Sequence, residues 1–323
     1  MKTTSHWLLV LNGKSAGRAD VRAAIAGMRA QGIELDVRVT WEHGDAARHA
    51  EEAIARGIDT LIAGGGDGTV NEVVNALMAS GHREHELPTL AILPLGTAND
   101  FATSAGIPWP PAEALALIAK TAPQPVDVLR VEGDDQTRWC INVATGGFGT
   151  QVTVETDPEL KRRLGGLAYF LTGLGKLGKA EAMTARLSAG DFRWQGEFIA
   201  LGIGNGRQAG GGRELCPTAL IDDGLIDFTI VPPPPEGSQG FSDVMSALGT
   251  AMSAGRAAAL AQVATCGRHD QLVVESDHRF TLNLDGEPFA ARRFHIQCVP
   301  ATLALRLPSA SALLAGNAAA ANA

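Results

Sequence analysis

Between residues 7 and 131, short apolar runs alternate with stretches of helical spacing, and this rhythm leaves the chain few architectures. The runs fall at 7–11, 35–39, 61–63, 90–93 and 126–131, with helical patterns such as 21–30 and 46–56 between them. Strands apolar on both sides need cover on both faces, which a parallel sheet flanked by helices supplies. In such sheets ligands sit at the carboxyl ends of the strands. After residue 131 the rhythm changes. Residues 139–143, 183–188, 192–202, 225–231, 271–275, 279–284, 294–299 and 303–307 read as strands, and helical patterns recur only near 159–179 and 239–264. The spacing predicts an α/β lobe over 1–131 with a parallel sheet, then a mostly antiparallel β-sandwich lobe over 132–296. Residues 297–308 read as a last strand free to return to the first lobe, and the Ala- and Asn-rich stretch 309–323 as a frayed tail.

A chain of 323 residues exceeds one typical domain, which agrees with two lobes. Its net charge of −8 argues against nucleic acid as a partner and against attachment to a membrane through a broad basic surface. The four cysteines (Cys140, Cys216, Cys266 and Cys298) form no CxxC pair and fit free thiols in a reducing compartment. The apolar stretch near residue 10 is too short for a secretion signal, and no run is long enough to span a bilayer. The reading is a cytoplasmic protein. No feature points to a protein partner.

The third apolar run leaves its strand through AGGGDGTVNEV, residues 63–73. Val70, Val73, Val74, Leu77 and Met78 then form one helical stripe. The start of a helix offers unpaired N–H groups and the positive end of the dipole, and so attracts an anion. Gly64, Gly65 and Gly66 permit positive φ and close approach of a ligand. A carboxylate at Asp67 beside a phosphate implies a cation between them. Plain turn chemistry is the competing reading. The spacing is not the dinucleotide GxGxxG, and Asn12-Gly13-Lys14-Ser15 fails as a Walker loop because Leu8 stands where that motif needs glycine. A second strand-to-helix turn, PLGTANDF at 94–101, repeats the arrangement with Gly96, Thr97 and Asp100. Two such turns side by side can grip one polyphosphate.

GGGDGTVNEV together with PLGTANDFA resembles the diacylglycerol kinase catalytic-domain family. VRVTWEHGDAAR, NVATGGFGT, GIGNGRQAGGGRELCPTALIDDGLIDF and FTLNLDGEP resemble its YegS-type bacterial lipid kinases, so the likeness runs from about residue 7 to about residue 308. It implies an ATP-binding α/β lobe like those of phosphofructokinase and NAD kinase, a β-sandwich lobe for the lipid, and an active site between them. It implies an ATP-dependent kinase acting on a free hydroxyl of a glycerol-type lipid, with phosphatidylglycerol as the substrate and transient contact with the membrane. An NAD-kinase-like enzyme acting on a soluble hydroxyl compound is the alternative. A nucleotide-binding regulator without turnover is the third reading.

Carried over residue by residue, the resemblance assigns ATP contacts to Thr40, Gly64, Gly65, Gly66, Asp67, Gly68, Thr69, Val70, Asn71, Glu72 and Thr97. Thr40 reads equally as a cap of the next helix. The catalytic assignments are Asp67, beside Mg²⁺, and Glu287, the general base within DGEP. The bare residues there read equally as an Asp-Gly turn with a solvated Glu. A second, structural ion, Mg²⁺ or Ca²⁺, is implied at Asp223 with the carbonyls of Leu220 and Leu225, where a hairpin turn is the competing reading. Asp100 and Asp127 are implied in a carboxylate–water network joining that ion to the active site. Residues 160–179, with Lys161, Arg162, Arg163, Lys176 and Lys179 around apolar positions, fit a membrane surface or a packed helix.

Overall fold

A computed structural model describes residues 5–147, 182–233 and 264–317. The helical pattern at 159–179, that at 239–264 up to residue 263, the expected membrane-touching stretch and the end of NVATGGFGT lie outside the described residues.

The first lobe follows the expected alternation. β1 (His6–Asn12) is followed by α1 (Ala19–Ala30), β2 (Glu34–Thr40), α2 (Asp45–Ala55), β3 (Thr60–Gly65), α3 (Asp67–Ala79), β4 (Thr89–Pro94), α4 (Asp100–Ala105) and α5 (Pro111–Lys120). β1 lies between β2 and β3, and β3 pairs with β4, all in parallel register. The central strands are buried along their length because helices cover both faces. Val73, Val74 and Leu77 of α3 pack into the same core as Leu9, Ile62 and Leu90. A fully buried side chain of this kind contributes roughly 1.5–3 kcal/mol through the water it sheds.

The remaining strands are β5 (Pro123–Gly133), β6 (Gln136–Cys140), β7 (Val143–Gly147), β8 (Met183–Ala189), β9 (Phe192–Phe198), β10 (Ala200–Gly204), β11 (Gln208–Ala209), β12 (Arg213–Glu214), β13 (Ile226–Val231), β14 (Thr265–His269), β15 (Gln271–Leu284) and β16 (Glu287–Arg306). Their pairings are antiparallel except one. At Leu305, β16 pairs in parallel with Leu90 of β4, so one strand belongs to both lobes. The ordered path runs β14-β13-β10-β7-β15-β16-β4-β3-β1-β2, with β5 and β6 branching from β16 and β8 and β9 from β15. A second core gathers Leu201, Phe228, Leu282 and Ile296, with Phe280 edge-on to Phe294 at 5.0 Å.

Several expectations change. The run at 126–131 is not a parallel strand of the first lobe; it lies in β5, antiparallel to β16 and β6. The runs at 271–275 and 279–284 are one strand with a bulge, and those at 294–299 and 303–307 are one strand interrupted near Ala301, whose φ is 50°. The run at 192–202 divides between β9 and β10, and that at 139–143 between β6 and β7. The frayed tail does not hold for residues 309–317. Leu313 is fully buried, its carbonyl accepts from the Ile221 N–H at 3.0 Å, and the Ala315 N–H donates to Asp222 Oδ1 at 2.7 Å.

Candidate active site

The carboxyl ends of β1, β2 and β3 open into a cleft of about 800 Å³ lined by Asn12, Lys14, Thr40, Gly66, Gly68, Thr69 and Glu72. Its floor is tied together by polar contacts. Asn12 donates from Nδ2 to Thr69 Oγ1 at 3.1 Å, and the Gly13 N–H donates to Thr40 Oγ1 at 3.3 Å. Thr40 therefore does not cap the next helix, since the N-cap of α2 is Gly44, with a φ of 89°. No side chain caps the start of α3, and Gly66, Gly68 and Thr69 there line this cleft.

The three glycines have different tasks. Gly64 and Gly65 are buried in β3, and the cleft is lined by Gly66 and Gly68 beyond them. A Cβ on Gly64 would lie 2.6 Å from Leu9 Cδ1, and one on Gly65 would lie 2.2 Å from Thr69 Oγ1. Packing excludes side chains there. None of Gly64, Gly65, Gly66 and Gly68 has positive φ. Gly66 alone stands at the turn, and there it meets the second turn. A Cβ on Gly96 would lie 2.4 Å from Gly66 Cα, and the Leu95 N–H donates to the Gly65 carbonyl at 2.8 Å. The two turns are thus side by side. Thr97 is exposed at the tip of the second and is not among the residues lining the cleft.

Asp67 faces the other way, into a cavity of about 290 Å³ shared with Asp100, Asn142, Gly210, Asp285 and Gly286, between the first lobe and the strands of the second. Burial first, and then the charge of Asp100, hold its carboxyl above the ordinary range. Asp100 is itself committed: its carboxylate accepts the Gly211 and Gly212 N–H groups at 2.8 and 2.7 Å, a direct link between α4 and the glycine-rich loop of the second lobe. Val70 is buried in the core. Asn71 turns toward the second lobe, its Nδ2 lying 3.4 Å from both the Leu284 carbonyl and Asp285 Oδ2.

Asp285 was legible only as half of an Asp-Gly turn, yet its buried carboxylate accepts the N–H groups of Ile141, Asn142 and Val143 at 2.8, 3.0 and 3.0 Å. It fixes the corner between β6 and β7 while its φ of 50° makes the turn that delivers Glu287. Glu287 is exposed at the start of β16, in a third cavity of about 420 Å³ with Asn71, Arg138 and Phe289. His43 and Glu72 line both this cavity and the cleft. Asp45 was also missed. Buried at the start of α2, its Oδ2 accepts the Trp41 and Glu42 N–H groups at 2.6 and 3.0 Å, and these amides hold its carboxyl below the ordinary range.

A divalent ion beside Asp67 fits this donor set. The carboxylate is a hard oxygen ligand, and the nearby Asp100 charge that disfavours its ionisation is relieved by a cation. No group of three His, Cys, Asp or Glu side chains able to hold a metal occurs among the described residues. Phosphate oxygens and water would have to supply the other ligands, as suits Mg²⁺. The second site does not fit. Asp223 Oδ1 accepts the Leu225 N–H at 3.0 Å and Oδ2 is held by the Arg268 guanidinium, a cation already in place. Protein groups thus engage the one carboxylate of the expected ion site at Leu220, Asp223 and Leu225, and calcium there has no support. The Asp127 carboxylate accepts the Gly224 and Ala301 N–H groups at 2.7 and 2.8 Å.

Residues 6–131 match the model of the diacylglycerol kinase catalytic domain, and residues 112–307 match that of the YegS C-terminal NAD kinase beta sandwich-like domain. The chain belongs to the diacylglycerol kinase catalytic-domain family, in its YegS-type branch. Family membership makes it a phosphotransferase with an alcohol group as acceptor. A Stenotrophomonas maltophilia protein named "Probable lipid kinase YegS-like" is 55% identical over 317 residues, covering 97% of this chain and 100% of that one. A Pseudomonas aeruginosa protein of the same name is 51% identical over 95% of this chain and 96% of its own. Among solved structures, a "putative diacylglycerol kinase" from Bacillus anthracis superposes with a TM-score of 0.75 at 26% identity, over 96% of this chain and 98% of that one.

Proposed function

We propose that the chain is an ATP- and Mg²⁺-dependent lipid kinase that phosphorylates a free hydroxyl of a glycerol-type lipid, with phosphatidylglycerol as the acceptor. The observation that carries this reading is the shared wall of the cleft and the Glu287 cavity: His43 and Glu72 line both, so a nucleotide in one adjoins an acceptor in the other. The names borne by relatives at 51–55% identity support the lipid as acceptor class.

The triphosphate lies against the start of α3, where Gly66, Gly68 and Thr69 line the cleft and Lys14 adds positive charge. Asp67, on the neighbouring cavity between the lobes, is the residue that would hold Mg²⁺, and that ion would supply charge neutralisation for the transferring phosphoryl group. Glu287 takes the proton of the acceptor hydroxyl as that oxygen bonds to the γ-phosphorus and the bond to the β-phosphate oxygen breaks. The remaining work is alignment. Asp285 serves it by fixing the turn before Glu287, and Asp100 by fastening the glycine loop opposite Asp67.

Incubation with γ-labelled ATP and mixed lipid vesicles tests the proposal: label should enter the organic phase, and phosphatidylglycerol should take up most of it. Label left wholly in the aqueous phase would overturn the lipid reading. Glu287→Gln should keep ATP binding while transfer falls by about 10²–10⁴-fold. Unchanged transfer would remove Glu287 from its role.

A further inference from the structure

The described residues expose three large apolar side chains, Val39 at 44%, Trp41 at 94% and Trp109 at 48%. Two of them, Val39 and Trp41, line the same cleft that receives the uncapped start of α3. An indole left almost wholly in water is costly unless a partner covers it, since aromatic side chains carry large apolar area. Its main chain, by contrast, is fixed. The Trp41 N–H and its neighbour both donate to the buried Asp45 carboxylate, which the Arg48 guanidinium also meets. A ring carried on a rigid backbone loses little freedom when a ligand stacks on it.

The cleft of about 800 Å³ is wide enough for a whole nucleotide, with Lys14, Gly68 and Thr69 on its wall and Thr40, Glu42 and His43 flanking Trp41 in the chain. Besides the small Ala16, the apolar side chains on its wall are Val39 and Trp41. A nucleotide brings matching parts, an anionic chain for the cationic and amide groups and a flat, weakly polar base for the apolar side chains.

We propose that Trp41, with Val39 beside it, is the stacking platform for the purine base of the nucleotide whose phosphates lie at the start of α3. The inference rests on the nucleotide reading of the cleft and deepens it. Trp41 contributes affinity for the base and none for the phosphates.

Calorimetric titration of the full chain with Mg²⁺-ATP and with Mg²⁺-tripolyphosphate separates the two ideas. The wild-type protein should bind ATP more tightly than tripolyphosphate. Trp41→Ala should weaken ATP about tenfold, as loss of one base–aromatic stack does, and leave tripolyphosphate unchanged. Trp41→Phe should recover most of the loss. The ring is exposed, so neither substitution endangers folding. Unchanged ATP affinity in Trp41→Ala overturns the proposal, whether or not vesicle binding is lost. So does equal weakening of both ligands, which would make Trp41 a support of its loop. Failure of the wild-type protein to bind either ligand would bring down the nucleotide reading itself, and this platform with it.

Discussion

At the scale of single residues, buried carboxylates hold the site together by collecting backbone amides. Asp285 accepts three from the β6–β7 corner, so Asp285→Ala leaves three buried donors without their acceptor. The expected cost is about 3 kcal/mol or more, read as a lower urea midpoint at unchanged slope. Asp127 supplies a test in pH. Burial raises its carboxyl in the folded chain above the usual 3.8, with the Ala301 and Gly224 amides opposing and the Asp223 and Asp222 charges adding. A carboxyl raised on folding contributes stability fully below the unfolded value, and that share is lost as pH rises through the folded value. The advantage of the wild-type protein over Asp127→Asn should therefore shrink as pH rises above the ordinary carboxylate range, measured by denaturant unfolding at each pH. An advantage that grows with pH contradicts the assignment. Neither role was legible locally. Asp-Gly announces a turn, but the amides that Asp285 collects lie more than 140 positions away in the chain.

At the scale of elements, the two strand-to-helix turns meet through glycine. Gly96 and Gly66 approach so closely that a methyl group on Gly96 would collide with backbone, which cannot rotate away. Gly96→Ala should cost about 1–3 kcal/mol through overpacking and weaken ATP binding together with stability, seen in a lower Tm and a higher Kd. The Asp100 contact is the other joint. Asp100→Ala should speed hydrogen exchange at the Gly211 and Gly212 amides while the amides of β1, β3 and β4 keep their protection. Faster exchange throughout the first lobe would make Asp100 a general stability residue instead. The existence of these elements was readable because strand and helix periods are local properties. The division of labour among the glycines was not. Gly64 answers to Leu9 of a different strand, and Gly66, two positions on, answers to Gly96.

At the scale of the whole molecule, β16 is the member that makes one body of two lobes, pairing with β15 and β5 along its length and with β4 near its end. The segment after it closes the junction: the Arg207 guanidinium donates to the Ala312 carbonyl at 2.6 Å, and Leu313 packs into the first core. Leu313→Ala should cost roughly 2–5 kcal/mol in thermal or urea unfolding, whereas an unpacked tail would tolerate it freely. The sequence by itself determined the alternating lobe, the strand-rich lobe after it and the two bare turns, because hydrophobic period and glycine content act within a few residues of one another. Tertiary structure alone decided that β5 runs against β16, that residues 309–317 pack, that Arg268 occupies the carboxylate expected to bind an ion, and that Asp67 and Glu287 face different cavities. Those outcomes depend on which distant segments meet, and a strand or a carboxylate has the same local pattern whatever partner it finds.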